Sequence, residues 1–316
     1  MLHLTRFRLP AFMAFVWMMA VILPDTVAAE TLRWKMEAGD RFAVELNHST
    51  KLLNDTVEIP HDTKLWFTWT VDGVEKDGTF HLTQTIDRIA VMIGLPGRDK
   101  LNYDSSEEGE TEELLQTVST MMKPLVGVKL RQKMNDRGKI LELAVPDKAL
   151  TAFQNNPLIK KMLPNDSVKN VFSNIFPEFP AAAINEGDDW STDEESRSAL
   201  GNMGLSSTFT YRGQKNLGGR QLHRVEVSTD ITLLNEPHAE TGADLDLREQ
   251  ESTGTIHFDN QAGHLVDLCI HQKMTIDLMV FGRPVTQKIE TTQQLTMRSD
   301  KVAGSLVDSR ADRVAD

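Results

Sequence analysis

The region from His264 to Met297 alternates apolar and polar residues, and this pattern constrains the fold more than any other feature of the sequence. A period of two is typical of strands with one buried face, and a turn at 281–284 makes the two runs an antiparallel hairpin. Strands rise about 3.3 Å per residue, so runs of about 15 residues reach about 50 Å, which is typical of large curved sheets or barrels. The apolar parity consists of Val266, Leu268, Ile270, Met274, Ile276, Leu278, Val280, Val285, Ile289, Leu295 and Met297; the polar parity includes Asp267, Cys269, His271, Lys273, Thr275 and Asp277.

Shorter strand patterns occur in both halves of the chain and follow the same order. Gly39-Asp40 precedes the first of them, and Gly187-Asp188 repeats this pair 148 residues later. A period of this length is too long for a solenoid and indicates a duplicated β-rich half. The predicted strands are 41–46, 64–71 and 79–86 in the first half, and 208–213, 221–227 and 254–259 in the second.

The middle of the chain contains helix patterns. At 107–123, acidic residues precede apolar residues at helical spacing, and Pro124 ends the pattern. A second helical region is predicted for 147–176, and strands are predicted within 128–145. The acidic segment 234–252 is interpreted as a mobile loop or hairpin.

These patterns together predict an α+β fold that is predominantly antiparallel β. We expect long curved, half-barrel-like sheets from two similar halves, with a few helices between and against them. The predicted divisions are a signal peptide at 1–29, a first β-rich half at 30–180 with helices at 107–123 and 147–176, a second β-rich half at 181–298, and a flexible tail at 299–316.

The first 29 residues have the pattern of a secretory signal peptide. Arg6 and Arg8 precede an apolar stretch at 11–22, and small residues at 27–29 place the cleavage site after Ala29. The stretch is shorter than the roughly 20 residues that span a bilayer, so no transmembrane anchor is expected after cleavage. We therefore expect export to the periplasm or the extracellular space, with a retained N-terminal anchor as the alternative.

Charge and cysteine content exclude some functions. The net charge of −12 argues against a nucleic-acid binder, which needs basic residues to replace counterions. A single cysteine rules out a disulfide framework. Cys269 lies in a strand pattern, and we interpret it as a buried, unreactive thiol.

A set of short motifs follows the export signal and is spread over 31–298. They are Trp34-Lys35, Gly39-Asp40, Tyr103-Asp104-Ser105, Asp136-Arg137-Gly138-Lys139-Ile140, Gly187-Asp188-Asp189-Trp190 and Gly254-Thr255-Ile256-His257-Phe258-Asp259. Together they resemble a family of secreted bacterial proteins classed only as a domain of unknown function. That resemblance implies a secreted β-rich domain and provides no catalytic residues. The predicted architecture is also similar to the half-barrel lipoprotein carriers of the bacterial envelope.

No catalytic or metal-binding motif is present in the sequence. Nucleophile elbows, zinc-protease helices, P-loops and dinucleotide-binding loops are missing, and we predict no catalytic residues, no metal ligands and no cofactor. His257 with Asp259, and His271 with Asp267, have spacings that allow a metal, but exposed polar strand residues are the simpler interpretation.

The expected function is non-enzymatic binding of an apolar or amphipathic ligand in the cell envelope. The partner would be a lipid or another envelope protein, and Met121, Met122, Phe172 and Phe176 are the candidate ligand-lining residues, with ordinary core packing as the alternative. Two other functions stay open. One is an envelope hydrolase that uses carboxylates such as Asp104 and Asp259, and the other is a structural or partner-binding scaffold.

Overall fold

A computed structural model describes residues 29–53, 57–107, 112–147, 176–198, 201–234, 245–280 and 283–300. Within these ranges the chain forms strands, one α-helix (α1, Glu113–Met122) and a 3-10 turn (Lys123–Leu125). The strands β1 to β12 are Arg41–Leu53, Glu58–Val74, Phe80–Ile93, Leu101–Asp104, Lys129–Met134, Ile140–Ala144, Asp189–Ser198, Gly201–Leu217, Arg220–Leu233, Leu245–Asp259, His264–Val280 and Arg283–Ser299.

The strands form one twelve-stranded sheet in which every pairing between the described strands is antiparallel. Its order is β6-β5-β3-β2-β1-β12-β11-β10-β9-β8-β7, and β4 pairs with β3 outside this path. The predicted hairpin is confirmed as β11 and β12, with Leu268 opposite Leu295. The predominantly antiparallel α+β fold is therefore confirmed.

The two halves use their strands in the same way. Strands β1, β2, β3, β5 and β6 follow one another across the sheet as β7 to β11 do, and β12 lies between the two sets. The repeated Gly-Asp pairs form equivalent turns: Gly39 N–H donates to Val71 O at 2.8 Å, and Gly187 N–H donates to Tyr211 O at 2.8 Å. Both glycines have φ near +90° (93° and 94°), which favours glycine. The two similar halves are thus visible in the structure, within a single sheet.

The sheet is strongly curved around Trp34. The Trp34 ring lies 6.1 Å from Trp69 on β2 and 5.5 Å from Phe258 on β10, although β1, β12 and β11 lie between those strands. Phe176 packs edge-on against Trp34 at 5.7 Å. One side chain contacts strands so far apart in the sheet only if the sheet wraps around it, and the core therefore lies on the concave side.

The segments at 29–40 and 176–188 fill this concave side at one end. Trp34 N–H donates to Asp136 O at 2.7 Å, which attaches the first segment to the β5–β6 turn. The Glu178 carboxylate lies 2.6 Å from Arg137 Nη2, and the Glu178 carbonyl accepts from Trp190 Nε1 at 2.9 Å. Since Arg137 adjoins β5 and Trp190 belongs to β7, the second segment bridges the two ends of the sheet.

Helix α1 covers part of the same concave side. Val118 of α1 is buried with Ile86, Ile89 and Val91 of β3, and Leu65 of β2 packs against both this cluster and the main core. The predicted helix is thus confirmed over Glu113–Met122. Pro124 does not end the helical turns at once, because proline is tolerated in the first turn of the 3-10 segment that follows.

The structure decides between the two interpretations of 234–252 and contradicts the interpretation of Cys269. Residues 245–252 belong to β10, which pairs antiparallel with β9, so for these residues the hairpin is right and the mobile loop is wrong. Cys269 is half-buried on the polar side of β11 rather than in the core. The signal peptide up to residue 28, nearly all of the helical region 147–176, and the tail after residue 300 lie outside the described residues and stay predictions. Neither helical segment of the described chain has the length and apolarity required to cross a bilayer.

Candidate functional site on the inner face of the sheet

The inner face is defined here as the side of the sheet that contacts Trp34. Near Trp34 this face is solid core, as Phe42 and Val44 of β1 show by being 2% exposed. Farther along β1, the inner-face residues from Leu46 to Leu52 are only half-buried. This part of β1 extends about 25 Å beyond the core, at about 3.3 Å per residue.

A band of uncharged polar side chains crosses the inner face just beyond the core. Its members are in register on five strands: His48 lies opposite Thr63 and Gln293, and Thr291 lies opposite both Thr50 and Gln272. Each of these positions has the same parity as the buried core residues of its own strand, as Ser252 has with Ile256 on β10 and Gln272 with Leu268 on β11. We call this band the polar belt; it comprises His48, Thr50 (β1), His61, Thr63 (β2), Ser252 (β10), Gln272 (β11), Thr291 and Gln293 (β12).

Apolar residues return on the inner face beyond the polar belt. Leu52 lies opposite Ile59 and Ile289, and Ile289 lies opposite Met274. We call these four half-buried residues the apolar rim. Along β1, β2, β11 and β12 the inner face therefore passes from core, through the polar belt, to the apolar rim.

Most charged residues of this region lie on the other side of the sheet. From the polar belt outward on β1, β2, β8–β11 and on β12 as far as Val285, no Asp, Glu, Lys or Arg occupies a described inner-face position; Arg283, opposite Val280 at the far end of β12, is the exception. The charges of the same strands pair on the outer face, for example Arg248 with Asp277 at 2.6 Å and Lys51 with Glu58 at 3.7 Å. Burying an unpaired charge is costly, so this segregation indicates a face built to be covered.

The histidines of the polar belt are in environments that favour the neutral ring. Burial lowers the pKa of His48, and the neighbouring His61 lowers it further. Burial also lowers the pKa of His61, against the opposing effect of Asp62. Each Nε2 lies 3.2 Å from a threonine Oγ1, that of Thr50 for His48 and that of Thr63 for His61. A neutral imidazole both donates and accepts hydrogen bonds, so the belt offers both functions to a ligand.

These pKa values predict a loss of stability at mildly acidic pH. The folded histidines bind protons less readily than the unfolded ones, so stability is complete above about pH 6.5 and declines as the pH falls below it. Replacing both residues (His48→Gln with His61→Gln) should reduce this decline. Urea unfolding of both proteins at about pH 7.5 and about pH 5.5 measures the loss of stability between the two pH values. Part of that loss should remain in the double variant, because burial also lowers the pKa of His223. An unchanged decline in the double variant would show that these two rings bind protons equally in the folded and unfolded states.

The structure separates the residues that the sequence proposed as ligand-lining. Phe176 is core, with its ring 4.3 Å from Trp69. Met122 packs against the cluster under α1, and Met121 is half-buried. Phe172 lies outside the described residues. None of the three described residues belongs to the polar belt or the apolar rim, which sequence reasoning missed.

The carboxylates of the hydrolase alternative are not brought together. Asp104 on β4 accepts from Arg88 Nε at 2.9 Å, and this arginine holds its pKa well below the usual range. Asp259 ends β10 and accepts from Ala262 N–H at 2.8 Å. Five strands lie between β4 and β10 in the sheet, and the hydrogen bonds of the two carboxylates go to different partners, so nothing in their contacts supports a shared catalytic pair.

A groove of about 500 Å³ lies on the outer face across β8 to β11. It contains Cys269, whose Sγ is 3.3 Å from His271 Nε2, and its wall includes Arg212, which pairs with Glu226 at 2.7 Å. His257, considered above with Asp259, instead contacts Asp267 at 2.8 Å. Within the described ranges, no group of three or more potential metal ligands is assembled.

The fold and the inner face define a class of protein. Its members have a curved antiparallel sheet whose concave side extends beyond the hydrophobic core and carries mostly uncharged residues there. A family model matches residues 77–265, well over half of the chain. The chain belongs to this family, which is described as a family of unknown function (DUF6263). The resemblance of its motifs to a family of unknown function is thereby confirmed.

Comparison with solved structures finds only distant similarity. A lipovitellin structure, described by its lipid–protein interactions, has a TM-score of 0.45 and 11% identity, over 84% of this chain and 25% of that chain. A DUF1329 family protein from Desulfovibrio piger has a TM-score of 0.16 and 8% identity, over 83% and 86% of the two chains. A DUF3598 family protein from Nostoc punctiforme has a TM-score of 0.10 and 9% identity, over 78% and 94%. No curated protein matches the chain.

Proposed function

We propose that the protein binds an apolar or amphipathic ligand on the inner face of its sheet, without catalysing a reaction, and does so in the cell envelope after export. The observation that carries this proposal is the inner face of β1, β2 and β8–β12 beyond the core, which is free of charged residues at the described positions up to Arg283 at the far end of β12. The export pattern of residues 1–29 supports the location.

The shape of the region supports binding on this face. Apolar ligands bind in concave sites lined mainly by apolar side chains with a few polar groups that fix orientation. The apolar rim supplies the apolar surface, and the polar belt supplies the polar groups. The outer groove favours such a ligand less, because charged residues such as Arg212 and Glu226 line it.

A native mass spectrum tests this proposal on protein purified without detergent. We expect the purified protein to carry an additional mass the size of a lipid. Ile289→Lys should abolish that mass, because it places a charge on the apolar rim. Gln294→Lys adds the same charge to the same strand at an exposed outer-face position, and should leave the bound mass in place.

The outcomes separate binding from simple loss of structure. Retention of the bound mass in Ile289→Lys would place the ligand elsewhere, and a protein free of any added mass in every preparation would contradict the proposal. Circular dichroism of both variants checks that each keeps its β-sheet content.

A further inference from the structure

The polar belt has a chemistry that specifies the kind of head group a ligand can have. A carboxylate or phosphate taken from water needs a cation or several N–H donors in return, because burying an unpaired charge is strongly unfavourable. The belt residues are histidine, threonine, serine and glutamine, and none of them is Lys or Arg. The one basic residue at a described inner-face position farther out on β1, β2 and β8–β12 is Arg283, eight residues beyond Thr291 at the far end of β12.

Charges on neighbouring elements do not change this balance. Asp62 adjoins His61 but points to the outer face, where it bonds Ser49. Lys51 and Lys64 also belong to the outer parity of β1 and β2. Glu194 of β7 is the one described carboxylate on the inner face of this region, in register with Leu205, and burial raises its pKa, an effect that Glu178 reinforces. The two lysines therefore face away from a ligand on the inner face, and Glu194 carries no positive charge.

The belt does offer a matched set of neutral hydrogen-bond donors and acceptors. Threonine hydroxyls, glutamine amides and neutral imidazoles each donate and accept, as do the hydroxyl groups of a polyol, while an ester carbonyl accepts. On each of β1, β2 and β12 the belt covers two inner-face positions, about 7 Å along the strand, which suits a head group the size of glycerol. The apolar rim follows directly, where an acyl chain would lie.

We propose that the ligand is an uncharged acyl lipid with hydroxyl and ester groups, such as an acylglycerol, whose head group hydrogen-bonds to the polar belt and whose acyl chain lies on the apolar rim. This inference rests on the proposed function and specifies its ligand. Fatty-acid anions and anionic phospholipids are excluded from the belt, because nothing there compensates their charge.

Displacement of Nile red, an uncharged fluorophore, tests the inference with two competitors of equal chain length. The competition is measured at about pH 8, where oleate is ionised. The dissociation constant of 1-monooleoylglycerol obtained from dye displacement should be at least about tenfold lower than that of oleate. Gln293→Arg puts a cation into the belt and should reverse this preference. Gln294→Arg puts the same cation on the outer face of β12 and should leave the preference unchanged.

A second variant keeps the face uncharged in case the first one misfolds. Gln293→Leu removes the amide of Gln293 from the belt. It should raise the dissociation constant of 1-monooleoylglycerol about fivefold while leaving Nile red binding intact. Equal affinity of the wild-type protein for oleate and 1-monooleoylglycerol would overturn this inference and leave the proposed function standing. Failure of the protein to bind Nile red or either lipid, together with a ligand-free native mass, would overturn the proposed function itself.

Discussion

Replacing Trp34 with alanine should lower the free energy of unfolding by about 4 kcal/mol, the largest effect we expect from a single side-chain truncation. Trp34 is 1% exposed, and its ring packs against Trp69, Phe176 and Phe258. Removing it leaves a cavity between strands that meet only because the sheet wraps around this side chain. Urea unfolding followed by far-ultraviolet circular dichroism measures the loss.

Trp66→Ala is the matched control for this prediction. Trp66 lies on the outer face of β2, half-buried, with the Arg88 guanidinium 4.5 Å from its ring centre. Such exposed cation–π contacts contribute about 0.5–1 kcal/mol, so this variant should lose about 1 kcal/mol. If the two variants lost equal stability, the concave core would not be organised around Trp34.

The parts of the fold that the sequence predicts correctly are those where one face of a strand is continuously apolar. Leu268, Ile276, Leu295 and Met297 are buried on the inner face, and their alternation with charged residues identified the β11–β12 hairpin. The Gly-Asp repeat was equally informative, because each pair forms a turn that requires a positive φ.

The polar belt is where sequence reasoning failed, for a physical reason. Period-two alternation identifies a strand only when its two faces differ in polarity. At His48 and Thr50 of β1, His61 and Thr63 of β2, and Ser252 of β10, the inner face is polar as well. The predicted strands therefore stopped short, and residues 245–252 of β10 were assigned only to a loop or hairpin.

A usable signal for the belt was nevertheless present in the hairpin. Between the apolar residues Ile270 and Met274 stands Gln272, and between Ile289 and Leu295 stand Thr291 and Gln293. These interruptions are uncharged, whereas the opposite parity carries Lys273 and Glu290. What the sequence does not show is that the interruptions on separate strands are in register, because that depends on strand pairing.

Gly138→Ala should lower the free energy of unfolding by about 3 kcal/mol, the second largest effect we expect. Gly138 lies in the β5–β6 turn with φ of +94°, and an added Cβ would lie 2.6 Å from both Pro177 O and Trp34 Nε1. The substitution combines an unfavourable backbone conformation with a clash against both segments that fill the concave side. The midpoint and slope of urea unfolding give the difference from wild type.

Gly187→Ala separates the two causes, because Gly187 has the same φ of +94° but open space where the Cβ would be. This variant suffers the conformational cost alone, about 1 kcal/mol. A loss as large as that of Gly138→Ala would assign the whole effect to backbone strain. A smaller loss shows that the β5–β6 turn is held by close contact with 29–40 and 176–188, the two segments that fill the concave side next to the polar belt.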